Sequence, residues 1–312
     1  CTQYLGQKNH EMANKSARQA LFIITAISVF IVVLGLAFRA PLLSFIFGKV
    51  DADVMKNSMV YFFYTVLSYP FIALYDAGAS IFRAQENTRG PMVISIISNV
   101  MNIVGNGILI WVFHMGVAGA AISTLVSRIF CAVVVLYQLR KDRQPIVVRD
   151  YLKIRPDGKM IGRILALGIP SGIENSMFQL GKLAIQSTVS TLGTTAIAAQ
   201  AMTNMLEMLN GTAVIGVGIG LMTVVGQSLG AGKKDEAVYY MKKLMIFSEV
   251  FLIACCAVVY VLARPITMIG GMEAKSAEMC LDMMFWITIV KPIVWMFAFI
   301  PAYGMRAAGD VK

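Results

Sequence analysis

Charged side chains interrupt three apolar segments in the second half of the chain. Counted from the nearest turn, Lys182, Glu207 and Lys291 each lie about 15 to 16 Å along their helices. Glu174 follows Pro170 by four residues, where the missing proline amide weakens the helical hydrogen bonds and frees carbonyl groups. A carboxylate beside free carbonyls suits a proton or a cation. The pattern therefore indicates reversible cation binding at the depth of these side chains.

Two roles are open for these charges. Lys182 and Glu207 lie at one level on neighbouring antiparallel segments, so they can form a structural salt bridge or contact a substrate. Lys291 lies at the same level, so one acid can serve two lysines. Glu174 is roughly 12 Å from Lys182 along one helix, too far for direct pairing. It either couples to a cation or is only solvated by a cavity or capped by a neighbour.

Amide side chains extend the candidate site. Asn102 and Asn106 recur with Asn99 at helical spacing, which places three amides on one face. Such a row either contacts a substrate or holds two helices together. The other amides predicted to take part in cation coupling or substrate binding lie close in sequence to the charged residues; they are Asn175, Gln179, Gln200 and Asn204.

The elements that carry these residues are predicted to be membrane helices. Hydrophobic residues make up 58% of the 312 residues and charged residues only 14%, against roughly 25% charged in a soluble domain. Residues 19–38 form an uncharged run of 20, and a helix needs about 20 apolar residues to cross a bilayer. The sequence predicts an all-α polytopic membrane protein with eight spans, at 17–38, 58–82, 92–113, 117–139, 161–192, 196–229, 244–262 and 281–305.

Two of the divisions between spans rest on length. The stretch 90–139 contains Arg128 as its only charge, and a single helix of 50 residues would exceed a hydrocarbon core of about 30 Å. We therefore predict a hairpin turn at His114-Met115-Gly116. The same argument places a turn at Gly193-Thr194-Thr195.

The basic residues predict the orientation. Lysine and arginine number 19 on one side of the predicted membrane and 5 on the other, so the richer side is predicted to be cytoplasmic. The polar loop 140–159, from Arg140 to Lys159, lies on that side. The net charge of +10 is spread over such loops, which argues against a nucleic-acid partner. The lipid bilayer is the expected partner, and a plasma-membrane monomer is expected.

An internal repeat predicts two lobes. Leu5-Gly6-Gln7-Lys8 matches Leu229-Gly230-Ala231-Gly232-Lys233 at an offset of 224, and Phe82-Arg83-Ala84-Gln85 matches Met305-Arg306-Ala307-Ala308 at an offset of 223. Six spans separate the matching points, which predicts two lobes of six helices in the intact protein. The chain is then expected to lack two spans at each end.

The same repeat predicts how the chain divides. Residues 1–140 are predicted to form part of the N-terminal lobe, with four spans. Residues 141–160 are predicted to be a cytoplasmic linker, and 161–312 part of the C-terminal lobe, again with four spans.

These motifs resemble the multidrug and toxic compound extrusion family along the whole chain, at what would be its third to tenth helices. The resemblance is carried by the paired Leu-Gly-x-x-Lys loops, by the run from Arg83 to Met92, by Pro170-Ser171-Gly172-Ile173-Glu174 and by the run from Met305 to Lys312. It implies lobes around a cavity that opens alternately inward and outward. It also implies export of organic cations in exchange for protons or sodium ions, with the ion gradient in place of any cofactor.

Two departures from the family bear on coupling. The family often has aspartate at the position of Asn106, so a titratable group is missing there. Family members with a sodium site in the second lobe pair an acid on the fifth span with one on the eighth, but here the eighth offers Lys291 and only a peripheral Asp282. We therefore expect Glu174 to exchange a proton or a cationic substrate in the field of Lys291, without holding sodium.

Other functions are less well supported by the sequence. A lipid-linked oligosaccharide flippase of related architecture is the alternative, but a strongly cationic cavity would be expected for it, and here the bases are mixed with acids. An enzyme is not expected, because both histidines, His10 and His114, lie in loops without a metal or nucleophile motif. No metal site is predicted either.

Overall fold

The computed structural model describes residues 1–47, 52–141, 144–148 and 154–310. Most residues in these ranges are helical, and no described residue forms a strand. This confirms the predicted all-α fold. The chain divides into two compact units, Gln3–Gly162 and Arg163–Lys312. The finer division into 1–140, 141–160 and 161–312, and the twelve-span repeat, stay predictions.

In the described part of the first unit, seven α-helices precede the helix that begins at Gly158. They are α1 (Thr2–Gly6), α2 (His10–Ala37), α3 (Arg39–Phe47), α4 (Ala52–Leu67), α5 (Tyr69–Ala84), α6 (Arg89–Gly107) and α7 (Gly116–Leu139). A π-helical turn at Ile108–Val112 extends α6. The predicted hairpin turn follows it and is confirmed, with φ of 52° at His114 and 53° at Gly116.

The predicted second span is two helices instead of one. It breaks at Ser68, because Pro70 at the start of α5 has no amide hydrogen to continue the bonding of α4. The Ser68 hydroxyl donates to the carbonyl of Thr65 at 2.6 Å and accepts from Arg128 of α7 at 2.5 Å. Arg128, the only charge in its long apolar stretch, thus stabilises the break.

The second unit holds most of α8 and four further helices. Their bounds are α8 (Gly158–Ser190), α9 (Thr194–Gly230), α10 (Lys234–Ile269), α11 (Ala274–Ala298) and α12 (Ile300–Ala308). The turn predicted near residue 193 is confirmed, since Gly193 has φ of 95° and precedes α9. The predicted eighth span again breaks before a proline, at Phe299 ahead of Pro301.

Seven helices or helix pairs of the described chain are long and apolar enough to cross a membrane, so the protein is multi-pass. They are His10–Ala37, Ala52–Ala84, Arg89–Val112, Gly116–Leu139, Thr194–Gly230, Lys234–Ile269 and Ala274–Ala308. The remaining predicted span, the fifth at 161–192, corresponds to α8, which has 33 residues and is long enough to cross a bilayer. It is too polar to be counted with the others, because Glu174, Asn175 and Gln179 lie near its middle.

Part of the predicted linker is packed into the first unit. Ile146 and Val148 are fully buried in the apolar core that also contains Phe82 and Leu139. The amide of Ile146 donates to the side chain of Gln85 at 2.9 Å. Because the loop is polar overall, the burial of these two apolar side chains was not predicted from the sequence. Its residues 142–143 and 149–153, which include Arg143, Arg149 and Lys153 of the charge count, lie outside the described residues, as does Lys49.

The linker ends in an acid that caps α8. The Asp157 carboxylate lies 2.5 Å from the Lys15 ammonium and accepts from the amides of Lys159 at 3.0 Å and Met160 at 3.2 Å. The hydrogen bond from Lys15, followed by that from the Met160 amide, lowers the pKa of the Asp157 carboxyl. The charged form is therefore favoured in the folded protein.

This contact predicts a pH-dependent stability. A lowered folded-state pKa stabilises the fold above the unfolded pKa of about 4, and this contribution is lost as the pH falls through the folded value. Asp157→Asn is expected to unfold at a lower temperature than wild type at pH 7, with a smaller difference at pH 3. Thermal unfolding in detergent at both pH values checks this. A difference that does not change with pH would contradict it.

Glycines in α9 offer a matched test of helix packing. A Cβ added at Gly218 would lie 2.5 Å from the ring of Tyr303 on α12, whereas one added at Gly220 would meet nothing within 4 Å. Both substitutions raise helix propensity equally, so their difference isolates the clash. Gly218→Ala is expected to be less stable than Gly220→Ala by about 1 to 3 kcal/mol. Equal unfolding temperatures for the two variants would show that α12 moves aside freely.

Candidate functional site

An acid on α9 and a base on α11 form a contact within the second unit. The Lys291 ammonium donates to the Glu207 carboxylate at 3.3 Å and to the Glu207 backbone carbonyl at 3.4 Å. The Lys291 side chain is 9% exposed, whereas that of Glu207 is 34% exposed. The lysine is therefore nearly enclosed, while its acid can still be reached from outside.

An aromatic ring completes this contact. The Lys291 ammonium lies 5.0 Å from the centroid of the Trp295 ring, one helical turn further along α11. Trp295 stacks on Phe299 with centroids 4.1 Å apart, and Phe299 meets Phe178 of α8 edge-on at 5.8 Å. A carboxylate and an indole face together provide the chemistry that recognises ammonium groups.

The structural salt bridge between Lys182 and Glu207, one of the two roles left open by the sequence, does not form in the structure. Lys182 is exposed, and its ammonium lies 4.9 Å from the ring of Phe178, one turn earlier on α8. Counting residues from the turns gave the depth of each side chain, but it did not give the direction in which each helix presents it. Glu207 instead pairs with the second lysine at its level, Lys291.

Glu174 also has a basic partner other than the predicted one. Its carboxylate accepts from the Arg306 guanidinium of α12 at 2.5 Å, and that guanidinium lies 5.7 Å from the ring of Tyr303. The sequence did not predict this direct contact, and the influence of Lys291 on Glu174 stays a prediction. Arg306 follows the predicted span 281–305 directly, and in the structure it lies in the last turn of α12. The Glu174 side chain remains 55% exposed.

The predicted amides of the second unit lie along α8 and α9. Asn175 donates to the backbone carbonyl of Ser171 at 2.8 Å, which commits its amide to its own helix. Gln179 is exposed on the same helix. Gln200 donates to Asn204 at 3.2 Å, and Glu207 lies three residues further along α9. Helical spacing therefore puts Gln200, Asn204 and Glu207 on one face.

The amides of the first unit hold two helices together. Asn102 donates to Thr124 of α7 at 3.3 Å, and its backbone carbonyl accepts from Ser123 at 3.0 Å. Asn106 donates to the Asn102 side chain at 3.2 Å, but its own amide oxygen is buried without a partner. The geometry favours the packing role for Asn102 and leaves one acceptor free at Asn106.

Sequence reasoning missed three residues of the second unit. Trp295 and Arg306 contact Lys291 and Glu174 as described above. Asn210 is fully buried, and both polar atoms of its side-chain amide lack a hydrogen-bond partner in the structure. Two of the three had a usable signal, since Trp295 follows Lys291 by four residues and Asn210 follows Glu207 by three.

In the ranges that the structure describes, no group of three or more acids, histidines and cysteines could hold a metal ion.

The family model MatE matches residues 1–108 and 170–312, which is most of the chain. The chain is 25% identical over 317 residues to the probable multidrug resistance protein YoeA of Bacillus subtilis, covering 99% of this chain and 67% of that protein. It is 23% identical over 278 residues to the probable multidrug resistance protein NorM of Thermotoga maritima, covering 88% and 59%. The chain thus spans about two thirds of the first relative and less of the second.

A solved structure agrees in fold. An outward-facing multidrug resistance MATE family transporter of the MOP superfamily superposes with a TM-score of 0.90 and 18% identity, covering 99% of this chain and 69% of that one. This likeness extends over nearly all of the chain, and the family match includes Glu174 of α8 and Glu207 of α9. The chain belongs to the MatE family, whose members are multi-pass membrane transporters and not enzymes.

Proposed function

We propose that this protein exports organic cations from the cell by alternating access, in exchange for protons or sodium ions. The observation that carries the proposal is a pair of acids in the second unit, each in contact with one base. Glu174 contacts Arg306 and Glu207 contacts Lys291. In both pairs the acid is more exposed than the base, so an incoming cation can reach the carboxylate.

Such a pair can couple two ligands by competition. A proton or a cation that binds the carboxylate weakens its attraction to the base, and the base in turn opposes ligand binding. A proton and a substrate cation that compete for one acid cannot both be held there. Export of one in exchange for the other follows when the site faces the two sides of the membrane in turn.

The names of the relatives support drug-like substrates. YoeA and NorM are both described as probable multidrug resistance proteins. Apolar rings next to the acids suit substrates that combine a positive charge with an aromatic body. We propose small organic cations as the substrate class on this basis, with the plasma membrane as the site of action.

Transport in vesicles tests the proposal. The full protein is reconstituted, a fluorescent cation such as ethidium is supplied, and proton and sodium gradients are imposed separately. We expect ethidium movement to depend on one of the two gradients. Movement that is the same with and without every gradient, or no movement of any cation tried, would contradict the proposal.

One observation favours the alternative of a lipid flippase. The second unit has the three basic residues Lys182, Lys291 and Arg306. Only Lys291 and Arg306 have an acid as a partner in the described structure. A lipid with an anionic headgroup would meet Lys182, which lies on an aromatic ring and not on an acid. Translocation of a labelled pyrophosphate-linked lipid in the same vesicles, without cation transport, would select this function.

A further inference from the structure

The cation site formed by Glu207 and Trp295 already holds a cation that belongs to the protein. The ammonium of Lys291 has an acidic oxygen at 3.3 Å, a carbonyl oxygen at 3.4 Å and an indole face at 5.0 Å. These are the three kinds of group that recognise a free ammonium ion. The lysine therefore occupies the place that a cationic ligand would take.

The lysine is enclosed but not tightly bound. Charge-assisted N–H···O bonds are usually about 2.7 to 2.9 Å long, and both bonds from Lys291 are longer. By contrast, Arg306 lies 2.5 Å from Glu174. The four-carbon stem of a lysine is flexible, so its ammonium can leave such a position without moving the helix.

A polar side chain close to this lysine along α9 is not used by it. Asn210, one helical turn from Glu207, is fully buried with both of its amide atoms unpartnered. Such atoms are rare in native structures, and a bound water or ion is one explanation for them. Gly211 lies beside the ammonium, because a Cβ added there would come within 3.7 Å of it. The site therefore has more hydrogen-bonding capacity than Lys291 alone employs.

The rings continue the site away from the charge. Trp295 stacks on Phe299, and Phe178 of α8 meets Phe299 edge-on. Phe178 is an exposed residue, so its ring is accessible from outside the second unit. An organic cation has an apolar body as well as a charge, and this row of three rings offers stacking surface for that body.

We propose that Lys291 is a tethered competitor: an organic cation binds at Glu207 and Trp295 by displacing the Lys291 ammonium. This assignment rests on the proposed function and names its binding site and its specificity-determining residue. The affinity of the site for a substrate is set by the difference in binding free energy between the substrate and the Lys291 ammonium. A substrate must combine a charge with an aromatic body to displace the lysine, because a small inorganic cation has no apolar body to stack on the rings.

Removing the competitor should strengthen substrate binding. The probe is tetraphenylphosphonium, which carries one delocalised charge and four aromatic rings, and its dissociation constant is measured by titration of the full purified protein in detergent. Lys291→Met is expected to lower this constant about tenfold, which corresponds to about 1.4 kcal/mol, since the ligand no longer displaces an ion pair and a cation–π contact. Lys291→Arg, which keeps a tethered cation, should bind like wild type.

Matched variants separate this role from a purely structural one. Lys275→Met removes an exposed lysine from the same helix and should leave the constant unchanged. The double variant Glu207→Gln with Lys291→Met should lose the tenfold gain, because the acid that the ligand needs is gone. If Lys291→Met does not fold, Lys291→Gln carries the same expectation, since it keeps a hydrogen-bond donor without the charge.

Two results would overturn the assignment. Unchanged or weaker binding to folded Lys291→Met, in a wild-type protein that binds and exports the probe, would leave Lys291 as a structural partner of Glu207 only. The proposed export function would survive that result. Failure of both wild type and Lys291→Met to bind any of several organic cations would overturn the assignment and the export function together.

Discussion

Replacing Glu174 with glutamine is expected to reduce gradient-driven cation efflux by roughly tenfold or more, to the level of vesicles without protein. Glutamine preserves the shape of the side chain but removes its charge and its ability to exchange a proton. The Arg306 guanidinium then loses the acid that it contacts at 2.5 Å. A charged hydrogen bond contributes about 1.5 to 3 kcal/mol. Because Glu174 is partly exposed, the contact with Arg306 that Glu174→Gln removes is expected to contribute an amount at the lower end of that range.

The measurement is ethidium efflux from vesicles with each gradient imposed in turn. Glu278→Gln on α11 is the matched control, because Glu278 is an exposed glutamate away from both acid–base pairs. It should transport like wild type, and both variants should show the unfolding temperature of the parent within a few degrees. Sodium-dependent efflux that survives Glu174→Gln would place the coupling ion elsewhere.

The membrane architecture could be predicted from the sequence because it depends on run lengths and composition. Apolar runs separated by charge clusters gave all the long helices, and glycine with a positive φ marked the turn before α9. The breaks at Ser68 and Phe299 were not predicted, although Pro70 and Pro301 lay within the runs. A proline in a membrane helix is accommodated in several ways, so it does not by itself determine a break.

The candidate site could be predicted only in part. The depth of a side chain follows from counting 1.5 Å per residue, and this counting put Glu207 and Lys291 at one level before the structure brought them together. The choice between Lys182 and Lys291 as the partner depends on how each helix is rotated about its axis. Rotation is set by packing against neighbouring helices, and one sequence does not contain that information.

The contact between Glu174 and Arg306 shows a second limit. The last apolar run ends at residue 305, so the sequence predicts that Arg306 lies beyond the membrane helix and adds to the positive charge of one side. In the structure α12 continues through it, and the guanidinium turns back towards α8. Long basic side chains at helix ends reach several ångströms from their backbone, so a charge count describes where the backbone lies and not where the charge lies.

The largest expected effect on stability is at the core of the second unit. Leu252 of α10 is fully buried in an apolar cluster with Leu221 of α9 and Ile300 of α12. Leu252→Ala removes three carbon atoms from this cluster and leaves a cavity that its neighbours fill only partly. We expect the free energy of unfolding to fall by about 2 to 5 kcal/mol.

Leu262 on the same helix is the matched control, since it is 47% exposed and the same substitution there leaves no enclosed cavity. Leu262→Ala should cost less than about 1 kcal/mol. Chemical unfolding of both variants in mixed micelles measures the difference. Because α9, α10 and α11 together position Glu207 against Lys291, Leu252→Ala should also weaken tetraphenylphosphonium binding while Leu262→Ala should not. Equal losses of stability in the two variants would show that the cluster around Leu252 is not the core of this unit.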